Sequence, residues 1–438
     1  MPFCPNCGTQ LNPGFSFCPN CGFKVESINS RGTTNTNTLP STLSLEQMDF
    51  VDKYLSLKPG VLTYESFISK VEIKGDIIAI SSALESEIKP AAQSGDVSAM
   101  IVLGVLHEKG FAIEQSREKA FDFFGEATGK GYPVAEWIAG LIDMEADSHF
   151  ALFWDLSLSR GFQSFIKSAN QGYCPAMVNL GNCCSKGKGT AQNKSEALKW
   201  YRKAADLGYA PAQYKLGRCY HGLEEGFTCN YAEAIKWYSK AASQGYAPSQ
   251  NNLGTMYDNG LCVPVDHTEA AKWYKRAAEQ GLDDAQYNLG NCYVYGSGVD
   301  LDYSKAKEWY KKAAEQGDAR YQLNLARWLR YHPIILEDGV KYYENYNSWY
   351  KKAAEQGNAQ AQYELAGLLM SDAFFSCEQT AAEWYRRAAE QGHSGAQFEL
   401  GMCYVKGKGV EKDLSAAKHW IQAAADQGNK DAIEYLNR

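Results

Sequence analysis

Residues 245–281, GYAPSQNNLGTMYDNGLCVPVDHTEAAKWYKRAAEQG, decide the fold. After Gly245 come a small residue, Ser249, the pair Leu253-Gly254, then Tyr257 and a turn glycine, Gly260. A second apolar run carries Ala270, Trp273-Tyr274 and Ala277-Ala278 and closes at Gly281. The apolar positions recur at steps of three and four, the spacing of one helix face. The pattern predicts two helices of about 12–14 residues joined at a glycine turn.

The same grammar extends in both directions. The anchor glycine recurs at Gly95, Gly131, Gly172, Gly208, Gly245, Gly281, Gly317, Gly357, Gly392 and Gly428, at spacings of 36, 41, 36, 37, 36, 36, 40, 35 and 36 residues. A fixed period of this size marks a repeat architecture. Anchor glycines sit where a helix C-terminus needs a left-handed residue. The glycine after leucine, at Gly181, Gly217, Gly254, Gly290 and Gly401, costs about 1 kcal/mol of helix propensity. Close approach of the partner helix would offset that. Alanine pairs such as Ala204-Ala205 and Ala313-Ala314 would serve the same contact. The Trp-Tyr pairs at 200–201, 237–238, 273–274, 309–310, 349–350 and 384–385 are predicted to fill the space between units.

Two units depart from the rule. Those starting at Gly131 and Gly317 are longer and lack the Leu-Gly pair, so Asp143–Ser164 and Tyr331–Tyr346 are predicted to be altered turns or helix extensions. Residues 44–94 read as a helical N-terminal cap. Ser44 and Gln47 form a capping box at its start, and Ala91-Ala92 before Gly95 imitate the end of a second helix. A terminal element of this kind covers an otherwise open apolar face. The chain should finish one helix beyond Gly428.

On these positions, roughly four-fifths of the chain resembles the Sel-one-like repeat family, a branch of the tetratricopeptide-type solenoids. The resemblance implies an all-α class: a superhelical α-solenoid of about nine helix-pair repeats over residues 95–438. The secreted, cysteine-rich branch of that family bridges the two helices flanking an anchor turn. The positions resembling that bridge are Ala205 and Gln213, and neither is cysteine.

A small zinc ribbon precedes the helices at residues 1–24. It reads Cys4-Pro-Asn-Cys7-Gly8, ten residues, then Cys18-Pro-Asn-Cys21-Gly22. Two-residue spacing lets both thiolates of a pair converge on one ion over a glycine turn. Two such pairs make a closed tetrahedral thiolate shell, the geometry of structural zinc. The segment resembles the short zinc-ribbon family found at the head of many bacterial proteins. One structural zinc on Cys4, Cys7, Cys18 and Cys21 is expected, because so short a segment cannot fold on a hydrophobic core alone. Residues 25–43 are small and polar without periodicity, and read as a flexible linker.

Composition bounds the function. The 438 residues carry a net charge of −7, against the basic field of a dedicated nucleic-acid binder. Near the ribbon only Lys24 is basic, with Arg31 in the linker. The N-terminus has no basic stretch leading into an apolar core, so no signal peptide is expected. No apolar run reaches the roughly 18–20 residues of a membrane helix. Cysteines number 13, an odd count that fits a reducing, cytoplasmic compartment. Cys183, Cys219, Cys292 and Cys403 share one repeat position with Met256 and Leu106, which marks a buried apolar site. No phosphate loop, His-Glu-x-x-His, Gly-x-Ser-x-Gly or kinase signature is present, and no catalytic residue is assigned.

What remains is binding. The first helix of each pair lines the inner surface of a curved solenoid. By resemblance, the position before the conserved leucine faces that groove, and it reads Asn179, Lys215, Asn252, Asn288 and Asn324. Three residues later come Asn182, Arg218, Thr255, Asn291 and Arg327, and one residue before the first set lie Tyr214, Asn251 and Tyr287. Asparagine pairs with a peptide backbone as donor and acceptor, and Lys and Arg hold carboxylates. In tetratricopeptide-type relatives such positions hold extended peptides and carboxyl termini. The expectation is a non-catalytic adaptor for a protein or peptide partner, with the ribbon as a second recognition module. The alternatives are a regulator whose ribbon contacts nucleic acid, or a bacterial effector acting on host proteins.

Overall fold

The computed structural model describes residues 89–95, scattered positions between 100 and 141, and residues 151–332, 334–335, 341–342, 345–371 and 377–437. The zinc ribbon, the linker and most of the N-terminal cap lie outside the described residues. The chain divides into two compact units, Met1–Leu253 and Gly254–Arg438.

The first unit contains α1 (Lys89–Gln93), α2 (Arg117–Gly129), α3 (Ala151–Asn170), α4 (Cys174–Lys186), α5 (Lys194–Asp206), α6 (Ala210–His221) and α7 (Tyr231–Ser243). Helix α8 (Ala247–Asn259) contains the division. The second unit contains α9 (His267–Glu279), α10 (Asp283–Tyr295), α11 (Tyr303–Glu315) and α12 (Ala319–Tyr331). It continues with β1 (Ile334–Ile335), β2 (Lys341–Tyr342), α13 (Tyr346–Glu355), α14 (Ala359–Ser371), α15 (Glu378–Glu390), α16 (Ser394–Lys406), α17 (Leu414–Asp426) and α18 (Lys430–Leu436). This is the expected all-α repeat architecture. The irregular stretches are a 20-residue helix, α3, and an antiparallel β1–β2 hairpin before α13. Both fit the expected helix extension and altered turn. The chain ends one helix past Gly428, as α18.

Local rules set the helix ends. Second helices are N-capped by Asx side chains: Asn193, Asn230, Asp266 and Asp302 accept from the backbone N–H three residues on, which satisfies a donor with no intrahelical partner. First helices α4 and α6 instead carry proline in their first turn, where its missing N–H costs nothing. At the anchor, Gly208 has φ +89°. Its N–H bonds Ala205 O at 3.0 Å and the Tyr209 N–H bonds Ala204 O at 3.2 Å, the paired bonds of a Schellman motif.

The Leu-Gly glycine admits an aromatic ring. A Cβ at Gly181 would meet the Tyr201 ring at 2.4 Å, and one at Gly290 would meet Tyr310 at 2.6 Å. Trp237 and Trp384 are buried in the core, as expected of both rings, whereas in the other four Trp-Tyr pairs the two rings divide their labour. The tyrosine packs on the glycine of its own helix pair. The tryptophans at 200, 273, 309 and 349 are only half-buried. A cation three residues on lies over each, as with Lys312 3.9 Å from the Trp309 ring and Arg276 4.4 Å from Trp273. The first repeat has the same device in Leu103-Gly104 under Phe124, which the sequence reading passed over, and Gly140 lies under Phe165 although its leucine is lost.

Candidate functional site

A buried glutamine, five residues past the anchor, fixes the first helix in six pairs, at 213, 250, 286, 322, 362 and 397. Gln213 donates to Ala205 O at 3.0 Å, and its Oε1 accepts from Gln244 of the next turn at 2.8 Å. In the second unit Gln286, Gln362 and Gln397 donate to Ala278, Ala354 and Ala389 O at 3.2, 3.0 and 3.2 Å. Their Oε1 atoms accept from Gln316, Gln391 and Gln427, each at 2.8 Å. Each amide thus satisfies a carbonyl near a helix C-terminus and ties one repeat to the next. These bonds offset the cost of taking the amide out of water. Ala205 and Gln213, neither of them cysteine, are joined by this hydrogen bond.

A second latch runs through the tyrosine. The Tyr201 hydroxyl donates to Asn182 Oδ1 at 2.8 Å in the first unit. Tyr274 donates to Thr255 Oγ1 at 3.3 Å and Tyr310 to Asn291 Oδ1 at 2.6 Å in the second. Asn252 Nδ2 donates to the Tyr238 hydroxyl at 3.1 Å. Four residues assigned to the groove therefore hold a buried ring in place, and their recurrence has a structural reason. Burial pushes the hydroxyl pKa of these tyrosines up, so they stay protonated donors.

Three cations assigned to the candidate groove, Lys215, Arg218 and Arg327, already hold carboxylates of their own chain. Lys215 Nζ and Arg218 Nε each lie 2.9 Å from Glu224 Oε1. Burial alone would raise the Glu224 pKa, but these two cations hold it below the usual carboxylate range. In the second unit Arg327 Nε donates to both oxygens of Glu364, at 3.0 and 3.1 Å. Glu364 also accepts from the Tyr350 hydroxyl at 3.0 Å and from Gln360 Nε2 at 2.7 Å. Tyr214 packs on Tyr246, and Tyr287 on Tyr310 and Tyr321, at centroid distances of 5.4, 5.4 and 5.5 Å. Asn179 and Asn324 are half-buried on first helices. Asn288 is likewise half-buried on α10. In each unit the assigned residues share the first-helix side of their pairs.

Cys183, Cys219, Cys292 and Cys403 are buried, as is Met256, which bears out the apolar reading of that position. Leu106 lies outside the described residues. Burial pushes the Cys183 thiol up to about 12, with the neighbouring Cys184 adding to the shift. This is the opposite of what a reactive thiol requires. Among the described residues no group of three or more His, Cys, Asp or Glu side chains could hold a metal, and no helix is long and apolar enough to cross a membrane. Cys4, Cys7, Cys18 and Cys21 lie outside the described residues. Their donor set, four thiolates in two close pairs, fits zinc.

Paired helices tied by short-range latches define the class: a helix-pair repeat protein. A Sel1 repeat profile matches residues 97–132, 174–209, 210–246, 247–282, 283–318, 348–358, 359–393 and 394–429, and a zinc-ribbon domain profile matches residues 3–25. The chain belongs to the Sel1 repeat family. It is similar to a protective antigen present in uropathogenic Escherichia coli strains that displays an SLR fold. Identity is 33%, TM-score 0.51, and 80% of each chain is covered. It is also similar to a Sel1 repeat protein from Oxalobacter formigenes, at 27% identity and TM-score 0.55, covering 72% of this chain and 90% of the other. No curated protein matches the chain.

Proposed function

We propose that this protein is a non-catalytic scaffold that holds a peptide or protein segment against the first helices of its repeats. Sel1 repeat proteins are generally protein-interaction scaffolds, and the family is typically non-catalytic. One observation carries the finer reading. Asn179 and Asn324 place half-buried amides on first helices, and neither makes a hydrogen bond among the described residues. A half-buried amide without an internal partner suits an incoming backbone, which presents both an acceptor and a donor. The zinc ribbon is a second recognition module on the same chain, built on Cys4, Cys7, Cys18 and Cys21.

The test is affinity capture from native lysate with the full chain and with an Asn179→Glu, Asn324→Glu double variant of matched helicity. Partners lost only from the double variant are expected. An unchanged partner profile would contradict the reading. For the ribbon, elemental analysis should find about one zinc per chain, depleted in Cys18→Ser. An equal zinc content in the two proteins would remove the assignment.

A further inference from the structure

Six second helices of regular grammar carry the latch tyrosine, at 201, 238, 274, 310, 350 and 385. The first five hydroxyls are hydrogen-bonded: to Asn182, to Asn252, to Thr255, to Asn291 and to Glu364. Tyr385 is 5% exposed, and its hydroxyl has no partner among the described residues. The reason is in the sequence. The residue ten past the anchor, which is Asn182, Asn291 or Arg327 elsewhere, is Gly367 in this repeat. Among the described residues, a Cβ added at Gly367 would meet nothing within 4 Å except the Tyr385 hydroxyl, at 3.6 Å. The described residues leave the bare face of Gly367 open, and the hydroxyl end of the buried Tyr385 borders it.

One repeat earlier the same arrangement is filled. Arg327 occupies the position of Gly367, and Glu364, seven past its anchor, receives the guanidinium along with the Tyr350 hydroxyl. Glu399 is seven past Gly392 and so occupies the position of Glu364. It is half-buried and makes no hydrogen bond or ion pair among the described residues. Its charge is felt by both Tyr385 and Tyr363. Asp431 adds a second negative charge near Glu399, and Lys406 is the cation within electrostatic reach. The Tyr363 ring walls the site, 5.9 Å from Tyr385 and stacked on His393 at 4.6 Å. A carboxylate, a phenol donor and an aromatic face are the groups that recognise a guanidinium.

We infer that Gly367, Tyr385, Glu399 and Tyr363 form a subsite that takes an arginine side chain of the partner segment, in the place that Arg327 fills from within the chain one repeat before. The inference rests on the scaffold reading and names the chemistry of one contact in it. The guanidinium sits over Gly367, donates to Glu399, and lies against Tyr363. Lysine fits less well, because it lacks the planar fork that engages a carboxylate through two bonds.

The test uses the full chain and a fluorescein-labelled peptide, Gly-Ser-Arg-Ser-Gly, against the same peptide with neutral citrulline in place of arginine. At low salt the arginine peptide should bind roughly tenfold or more tightly, the size of a charge-assisted bond pair. Glu399→Gln should bring the two peptides together. Gly367→Arg, which supplies the missing side chain from within, should abolish the preference and raise the unfolding midpoint. Equal binding of both peptides to the unaltered chain overturns the subsite, as does a preference that survives Glu399→Gln. Partner capture by the Asn179→Glu, Asn324→Glu variant judges the scaffold reading separately. A subsite that fails while that variant still loses its partners sinks this inference alone.

Discussion

The repeat that starts at Gly281 and the one that starts at Gly357 share one latch and differ in the other. In both, a buried glutamine bonds the alanine carbonyl behind it and receives the glutamine ahead of it. In the first, Tyr310 lies on Gly290 and donates to Asn291. In the second, alanine stands at 366 and glycine at 367, and the Tyr385 hydroxyl has no partner among the described residues. The glutamine latch is common to both because it connects successive repeats and closes off helix ends. The tyrosine latch bonds side chains carried by first helices, so its loss leaves polar groups available while the glutamine latch still ties the repeats.

The largest contrast should come from alanine at the two glycines. At Gly290 a Cβ would lie 2.6 Å from the Tyr310 ring, and overpacking of this kind costs about 1–3 kcal/mol. At Gly367 the added methyl has room, and replacing a mid-helix glycine gains up to about 1 kcal/mol. Urea unfolding of Gly290→Ala and Gly367→Ala should therefore move in opposite directions. Equal losses would break the comparison.

A smaller difference is expected when the hydroxyls are removed. Tyr310→Phe leaves Asn291 without its donor and should lose about 1 kcal/mol. Tyr385→Phe removes a hydroxyl that bonds nothing among the described residues and should be neutral within about 0.5 kcal/mol. If Tyr385→Phe is the more damaging of the two, the hydroxyl has an internal partner after all.

The smallest effect is in the pH dependence, where the two carboxylates have opposite signs. Burial opposes ionisation of Glu364, but the bonds from Arg327 and Gln360 hold its pKa below the usual range. Its contribution to stability is present above the unfolded value, about 4.3, and is lost as pH falls through the folded value. Burial, with Asp431 adding to it, raises the pKa of Glu399 against the pull of Lys406. Its contribution is present below the unfolded value and is lost as pH rises through the raised one. Glu364→Gln should flatten the acid limb of a pH–stability curve. Glu399→Gln should lift the neutral side. A Glu399→Gln curve that overlays the parent would show that its ionisation costs nothing.

The helices, their turns and the repeat period were legible in the sequence because each depends on residues a few positions apart. Leu253-Gly254, Ala277-Ala278 and Gly281 show their roles by spacing alone. The glutamine latch was missed because Gln286 and Gln316 are 30 residues apart and meet only in space. A signal existed: glutamine recurs five past the anchor at 213, 250, 286, 322, 362 and 397, and just before it at 244, 280, 316, 356, 391 and 427. The candidate face was partly legible. Asn182 and Asn291 stood out by recurrence, and recurrence alone cannot tell a residue that holds a tyrosine from one that awaits a ligand. Glu399 and Gly367 stood out only as departures from the pattern, and the open position at Gly367 acquires meaning once Arg327 and Glu364 are seen together.

The most direct test of the scaffold account is site-specific photocrosslinking in native lysate. A photoreactive amino acid is placed at position 324, on the first-helix side, and in a second protein at the exposed Lys311 on the second-helix side. The account predicts a discrete crosslinked partner from position 324 and none of it from position 311. The same partner captured from position 311 alone, or equally from both, would contradict a binding face on the first helices.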